Sequence, residues 1–256
     1  MLNEVTISKA IIDAYHDKLI NSLEVDVAIV GGGPSGLVAG YYLAKAGKKV
    51  ILFESKLSIG GGVWGGGMMF NEIVVQESAL PILSDMELSP RQAAPGYHTL
   101  DSVFTSATLV HKSMAAGLTI FNLVAMEDVV IKNNRVAGLV INWGAVATLK
   151  WHIDPLTIHS RFVLDATGHP ANVTSVLVRK MGVTLNTETG TIVGEKSMEA
   201  DSGELQVVEN TREAYPGLFV SGMAANQVFG GYRMGPIFGG MLLSGQKAAN
   251  EILERL

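Results

Sequence analysis

His152 and Asp154 stand two residues apart in the stretch KWHIDP, in a chain that contains no cysteine. On an extended backbone both side chains point to the same side, with their Cα atoms about 7 Å apart. His169 follows a predicted buried strand, at the sheet edge where open α/β proteins bind ligands. Imidazole and carboxylate groups can hold Fe(II), Mn(II) or Zn(II), and they can also form a buried structural pair. These three residues are therefore a candidate metal site, with the structural pair as the alternative.

A second candidate is Arg233, in the stretch GYRMG ahead of the last predicted helix. No acidic residue stands near it in the sequence, so its charge has no local partner. A guanidinium group can hold a carboxylate through two parallel hydrogen bonds. Arg233 therefore either binds a carboxylate substrate or extends into solvent.

Gly31, Gly33 and Gly36 have the spacing GxGxxG and directly follow the apolar run VDVAIV. A helical stretch comes next, and Glu54 ends the following strand, 23 residues after Gly31. A strand, this glycine turn, a helix and an acidic residue at that distance are typical of a dinucleotide-binding unit.

Each residue of this unit has a predicted role. Gly31 permits the tight turn, Gly33 lets a pyrophosphate approach the backbone, and Gly36 allows the helix and the strand to pack closely. The helix N-terminus offers free N–H groups to phosphates, and Ser35 adds a hydroxyl donor. Glu54 can accept hydrogen bonds from ribose hydroxyl groups.

The remaining patterns predict an α/β chain that forms a single domain over residues 1–256. The fold class is a Rossmann-like dinucleotide-binding fold of the two-part FAD/NAD-binding type, with an inserted β-hairpin that turns at Asn133-Asn134. Further predicted elements are a helix over 6–21 with an apolar face, strands over 161–168 and 217–223, a glycine-rich loop over 58–69, and helices over 100–116 and 236–255.

The C-terminal half of the nucleotide pattern differs from that of flavoproteins. There the last strand usually ends in Gly-Asp, whose carboxylate holds the flavin side of FAD, whereas here Met223 follows Gly222. A thioether cannot replace a carboxylate as a hydrogen-bond acceptor. The sequence therefore favours NAD, or a product that contains ADP, over FAD.

Composition excludes several classes of function. The net charge is −5 and no block rich in Lys or Arg occurs, which argues against binding to nucleic acid. No apolar run is long enough to cross a membrane, and we expect a cytoplasmic location. The absence of cysteine excludes disulfides, thiolate metal sites and cysteine nucleophiles.

Several motifs together resemble the thiazole synthase family of thiamine biosynthesis, over nearly the whole chain. They are DVAIVGGGPSGL, FESKLSIGGGVWGGG, YHTLDSVFTSATLVHKSMAAG, RVAGLVINW, HIDP, ATGH and RMGPIFGGMLLSGQKAA. The resemblance implies that NAD, glycine and a sulfur source are converted into an adenylated thiazole carboxylate.

The resemblance also implies roles for individual residues. Asp154 and His169 match the iron ligands, with Asp154 contributed by a neighbouring subunit of a homo-oligomer, which is an octamer in the family. Arg233 matches the residue that holds the glycine carboxylate. The matching nucleotide contacts are Ser35, Glu54, Ser55, Gly62, Met126, His152, Ile153, Asp154 and Met223.

One departure concerns the source of sulfur. In plant and fungal members a cysteine stands at the position of His152 and donates its own sulfur, so that each molecule works once. This chain has no cysteine and resembles the archaeal and anaerobic-bacterial branch, which uses sulfide and Fe(II) and turns over repeatedly. His152 is a candidate for proton transfer. A second departure is His169-Pro170-Ala171, where plant enzymes have His-Asp-Gly.

Three alternatives stay open at this point. They are a flavin-dependent oxidoreductase, an isomerase of ribose 1,5-bisphosphate, and an NAD-binding module without catalytic activity.

Overall fold

The computed structural model describes all 256 residues and contains nine α-helices and thirteen β-strands. The helices are α1 (Glu4–Ile20), α2 (Pro34–Lys45), α3 (Leu80–Asp85), α4 (Ser102–Ala115), α5 (Gly144–Leu149), α6 (Asn172–Met181), α7 (Ala200–Glu209), α8 (Met223–Phe229) and α9 (Gly239–Leu253). The strands are β1 (Glu24–Val30), β2 (Val50–Glu54), β3 (Glu72–Gln76), β4 (Arg91–Ala94), β5 (Tyr97–Asp101), β6 (Thr119–Asn122), β7 (Val124–Lys132), β8 (Arg135–Trp143), β9 (Leu156–Asp165), β10 (Lys196–Met198), β11 (Arg212–Tyr215), β12 (Leu218–Val220) and β13 (Tyr232–Arg233). None of the helices has the length and apolar character needed to cross a lipid bilayer.

The central sheet has the strand order β11-β12-β9-β1-β2-β6. All neighbours from β12 to β6 are parallel, and β11 is an antiparallel edge strand. The hairpin of β7 and β8 joins this sheet through antiparallel pairing of β8 with the first half of β9. The predicted Rossmann-like α/β fold with an inserted hairpin is therefore confirmed. A separate antiparallel sheet, β3-β5-β4, was not predicted.

Burial on both faces explains why the central strands are continuously apolar. In β1, Val27 and Ile29 belong to a core cluster that also contains residues of α2, α3 and α9. Ala28 and Val30 point the other way, into a cluster with residues of the hairpin and of α6. Strands that are covered on both faces have no polar side, so their apolar residues do not alternate with polar ones.

The turn between β7 and β8 has the conformation that the sequence predicted. Asn133 and Asn134 have φ values of 51° and 57°, as a two-residue hairpin turn requires, which confirms that prediction.

Helix α1 forms where it was predicted, yet none of its residues is buried. Its apolar face, with Ile7 and Ile11, is exposed in the single chain.

Glu204, on α7, anchors the first turn of α9. Its Oε2 accepts a hydrogen bond of 2.6 Å from the Gly240 N–H, whereas its Oε1 is buried without a partner. Burial raises the pKa of Glu204, against the opposing effects of the Gly240 N–H and the Gln76 side chain. The start of α9 is therefore held by a carboxyl group whose pKa burial raises.

We expect Gly36→Ala to destabilise the fold, because the new Cβ would lie 2.2 Å from the Gly31 carbonyl oxygen. Overpacking costs about 1–3 kcal/mol, and here the neighbour is backbone that cannot rotate away, so a loss of about 2 kcal/mol or more in unfolding free energy should appear in urea titrations. Gly33→Ala is the matched control, since its Cβ would meet no atom within 4 Å. Equal losses in both variants would contradict close packing as the cause.

We also expect Glu204→Gln to change the pH dependence of stability. A carboxyl group whose pKa is raised on folding contributes most below its unfolded pKa, and this contribution is lost as the pH rises through the folded pKa. The Glu204→Gln side chain keeps an acceptor for the Gly240 N–H and carries no charge. The variant should therefore gain stability relative to the wild type as the pH rises above about 4, the ordinary pKa of a glutamate, in thermal melts at each pH. A difference that stays constant or shrinks would refute this account.

Candidate active site

A cleft of about 820 Å³ opens at the carboxyl ends of the parallel strands β1, β2 and β9. This volume lies within the usual range for sites that bind small molecules. Nine of the residues predicted for the site line this cleft: Gly31, Gly33, Ser35, Glu54, Ser55, Gly62, Met126, His169 and Met223. The fold therefore gathers the nucleotide-binding candidates and one candidate metal ligand around a single cavity.

The glycine turn connects β1 to α2 at the floor of the cleft. Gly31 has a φ of +104°, and a Cβ on it would lie 2.3 Å from the Ala166 carbonyl oxygen. Gly36 packs against the Gly31 carbonyl, behind the turn, while the position of a Cβ on Gly33 is open space. The turn thus leaves backbone exposed to the cleft at Gly33 and is closely packed on either side of it.

Glu54 holds the turn in place from the end of β2. Its Oε2 accepts a hydrogen bond of 2.9 Å from the Gly32 N–H, and its Oε1 accepts from the Lys56 N–H at 2.9 Å and the Ser55 hydroxyl at 3.3 Å. Each carboxylate oxygen has two lone pairs, so Oε2 can still accept a hydrogen bond from a ligand. Glu54 therefore holds the glycine turn in place, in addition to its predicted contact with a ribose.

The N-terminus of α2 faces the cleft without a side-chain cap. Its first-turn residue Ser35 is buried, and the Ser35 Oγ accepts a hydrogen bond of 3.3 Å from the Ser221 hydroxyl. The next backbone position, Gly222, has a φ of +61° and no room for a Cβ beside the Ser35 Oγ. Met223 then begins α8, which places a buried thioether where the flavoprotein pattern has a carboxylate.

Asp165 organises the loop that carries His169. It ends β9 with no exposed surface, and its two oxygens accept hydrogen bonds from the N–H and hydroxyl groups of Thr167 and Thr174, at 2.7–3.1 Å. Burial raises the pKa of Asp165, and these four hydrogen bonds oppose the shift. The loop between β9 and α6 is therefore tied at both ends to one side chain.

His169 lines the cleft, and Glu195 links it to Arg233, which lies outside the cleft lining. The His169 Nδ1 lies 2.7 Å from the Glu195 Oε2, and the Arg233 Nε lies 3.7 Å from the Glu195 Oε1. The Arg233 and His169 side chains are about half exposed, whereas that of Glu195 is 20% exposed. The expectation that Arg233 has no acidic neighbour holds along the sequence but is wrong in the fold.

His152, Ile153 and Asp154 lie outside the cleft lining, on an exposed segment without regular structure. The Ile153 carbonyl accepts a hydrogen bond of 3.1 Å from the Asn142 side chain. No three His, Asp or Glu side chains come together as metal ligands in the chain. A site in which His152, Asp154 and His169 of one chain converge is therefore wrong, and a site shared between subunits stays a prediction.

Three residues near the site were not identified from the sequence. Lys56 and Trp64 line the cleft, and Glu195 contacts both His169 and Arg233. Lys56 had a usable signal, since it stands two residues after Glu54 at the end of a strand. Glu195 had none, because its partners are 26 and 38 residues away in the chain.

Comparisons with known proteins agree on one family. The model of the Thi4 family matches residues 8–238. Thiamine thiazole synthases from Desulfosudis oleivorans and Methanothermobacter thermautotrophicus are 59% and 54% identical to this chain, and each alignment covers 100% of this chain and 99% of the relative.

Comparison with solved structures identifies a member of the same family and a more distant protein with the same fold. The crystal structure of Thermovibrio ammonificans THI4 matches with a TM-score of 0.98 and 55% identity, over 100% of this chain and 99% of that one. A geranylgeranyl bacteriochlorophyll reductase-like protein from Thermoplasma acidophilum, 16% identical, matches with a TM-score of 0.58 over 90% of this chain and 78% of that one, and shares the fold alone. The chain belongs to the Thi4 family.

Proposed function

We propose that this chain is a thiazole synthase of thiamine biosynthesis that uses Fe(II) and free sulfide. It would convert NAD, glycine and sulfide into an ADP-linked thiazole carboxylate, with repeated turnover. The observation that carries the proposal is a cleft lined by the glycine turn and by His169, which Glu195 links to Arg233, in a Thi4 family chain without cysteine.

The cleft suits the ADP part of NAD. The N-terminus of α2 presents free N–H groups and a partial positive charge to a pyrophosphate group. Gly33 leaves room for that approach, and Lys56 adds a positive charge to the same cleft. Glu54 can accept a hydrogen bond from the adenosine ribose, which would direct the nicotinamide ribose toward the other end of the cleft.

That other end has the groups needed for a small amino acid. The Arg233 guanidinium group lies 3.7 Å from Glu195 through its Nε and donates no hydrogen bond within the chain, so its terminal nitrogens are available for a carboxylate. Glycine held there would have its amine beside His169 and the sugar fragment. Fixing both reactants in this way lowers the entropic cost of condensing them.

The donor set suits Fe(II). Imidazole nitrogen and carboxylate oxygen are ligands that ferrous iron accepts, and His169 would supply the nitrogen. Asp154 of a neighbouring subunit would supply the oxygen, because no complete ligand set forms within one chain. When bound, the iron would act as a Lewis acid that lowers the proton affinity of sulfide.

An exposed apolar surface around Asp154 supports this assembly. Leu149, Trp151, Ile153 and Leu156 are all exposed on the segment that carries Asp154. Contiguous exposed apolar residues of this size are typical of interfaces between protein chains. We therefore propose a homo-oligomer in which this segment is covered and Asp154 reaches a neighbour's cleft.

The chemistry would begin when water displaces nicotinamide from NAD, which leaves ADP-ribose. The ribose then opens, isomerises to a ketone and condenses with the glycine amine, sulfide adds to the carbon framework, and ring closure with loss of water gives the thiazole. Several of these steps move protons, and His152 would serve as the acid or base. Its proposed role requires the same assembly, since His152 lies outside the cleft of its own chain.

Two alternatives have less support. A flavin oxidoreductase would need a group that binds the flavin side of FAD, and Met223 provides no acceptor there. An isomerase of ribose 1,5-bisphosphate would have no use for Arg233 as a carboxylate clamp or for a redox-sensitive metal.

We expect the purified protein to form an adenylated thiazole carboxylate in excess over enzyme when incubated anaerobically with NAD, glycine, sulfide and Fe(II). Mass spectrometry detects the product, and omission of each component in turn is the control. Product formed once per chain would contradict repeated turnover, and release of nicotinamide alone would leave only the first step supported. The absence of both product formation and NAD consumption would refute the proposal.

We further expect Asp154→Ala and His169→Ala each to lose most activity and to complement each other. If each site takes His169 from one chain and Asp154 from another, random mixing leaves about a quarter of the sites intact. Co-expression with two different affinity tags yields the mixed oligomers for the same assay. Activity no higher than that of either single variant would contradict a shared site.

A further inference from the structure

We infer that Glu195 is a positioning residue that couples metal binding at His169 to glycine binding at Arg233. This inference rests on the proposed function and extends it to a residue that the proposal itself does not require. Its basis is the placement of one carboxylate between the two side chains, at 2.7 Å from the His169 Nδ1 and 3.7 Å from the Arg233 Nε.

The first effect concerns the imidazole of His169. A neutral histidine has one N–H and one free lone pair, and a carboxylate beside Nδ1 favours the form in which Nδ1 carries the hydrogen. The Nε2 lone pair is then free for a metal ion, and the ring is held in a fixed orientation.

The second effect concerns the guanidinium group of Arg233. The Glu195 Oε1 lies 3.7 Å from the Arg233 Nε, and the guanidinium group donates no hydrogen bond within the chain, so its terminal nitrogens have no partner there. A glycine carboxylate can therefore bind those nitrogens while Glu195 keeps its own contact. The two functional side chains share one anchor, so that displacement of either would disturb the other.

The backbone around Glu195 is well fixed. Its N–H donates to the Gln227 Oε1 at 3.1 Å, and the neighbouring Gly194 N–H donates to the Gln227 carbonyl at 2.9 Å. Strand β10 begins at the next residue and runs parallel to β13, which carries Arg233. The Glu199 N–H also donates to the Arg233 carbonyl at 3.0 Å. Glu195 can therefore position its partners without being displaced by them.

The test uses the assembled protein with Glu195→Ala and Glu195→Gln, and Glu188→Gln as the matched control. Glu188 is an exposed carboxylate seven residues away and has no salt bridge or side-chain hydrogen bond. Affinity for Co(II), a spectroscopic substitute for Fe(II), is measured by anaerobic absorption titration, and KM values for glycine and NAD are measured separately. Thermal melts establish that each variant is folded.

We expect Glu195→Ala to weaken Co(II) binding by roughly 10–100-fold, as loss of a carboxylate behind a metal-binding histidine typically does. Glu195→Gln retains an acceptor and should lose less. Both should raise the glycine KM and leave the NAD KM within about twofold, since NAD binds through the glycine turn. The Glu188→Gln protein should match the wild type throughout.

Wild-type affinity for Co(II) and a wild-type glycine KM in Glu195→Ala would overturn the inference and leave the proposed function intact. Equal increases in the KM values of glycine and NAD would also overturn it, because they would indicate general disturbance of the cleft. Failure of the wild-type protein to bind Co(II) or Fe(II) would instead refute the proposed function, and the inference with it.

Discussion

The close approach of three backbone segments at Gly31, Gly36 and Ala166 is the constraint on which the cleft depends. The space between them is too small for a Cβ on either glycine, so the ends of β1 and β9 and the start of α2 lie against one another. Wider spacing would move the α2 N-terminus, which begins after Gly33, away from the strand ends that line the cleft. The geometry that we propose for phosphate binding therefore depends on the absence of side chains at Gly31 and Gly36.

Two buried carboxyl groups extend this arrangement to the loops around it. Glu54 ties the glycine turn to the end of β2, and Asp165 ties the His169 loop to the end of β9. Each accepts hydrogen bonds from backbone N–H groups that would otherwise have no partner, which is costly in a buried position. Loops that carry functional side chains thus gain defined positions from residues that belong to the strands.

The mouth of the cleft is less complete than its floor. His169 and Arg233 are about half exposed, and Glu195 is the residue that joins them. The apolar surfaces of α1 and of the segment around Trp151 are also exposed in the single chain. The proposed assembly would account for both features, because the same contact would cover apolar surface and bring Asp154 to a neighbouring cleft.

The sequence by itself determined the parts of this protein that depend on local pattern. The GxGxxG turn, the apolar strands, the hairpin at Asn133-Asn134 and the substitution of Met223 are all readable over short distances, where periodicity and backbone preference decide the structure. Only the tertiary structure decided that Glu195 lies between His169 and Arg233, and that Asp154 lies outside the cleft that His169 lines. Those relations depend on how segments that are distant in the sequence pack against each other. Neither the spacing of residues nor the composition predicts such contacts.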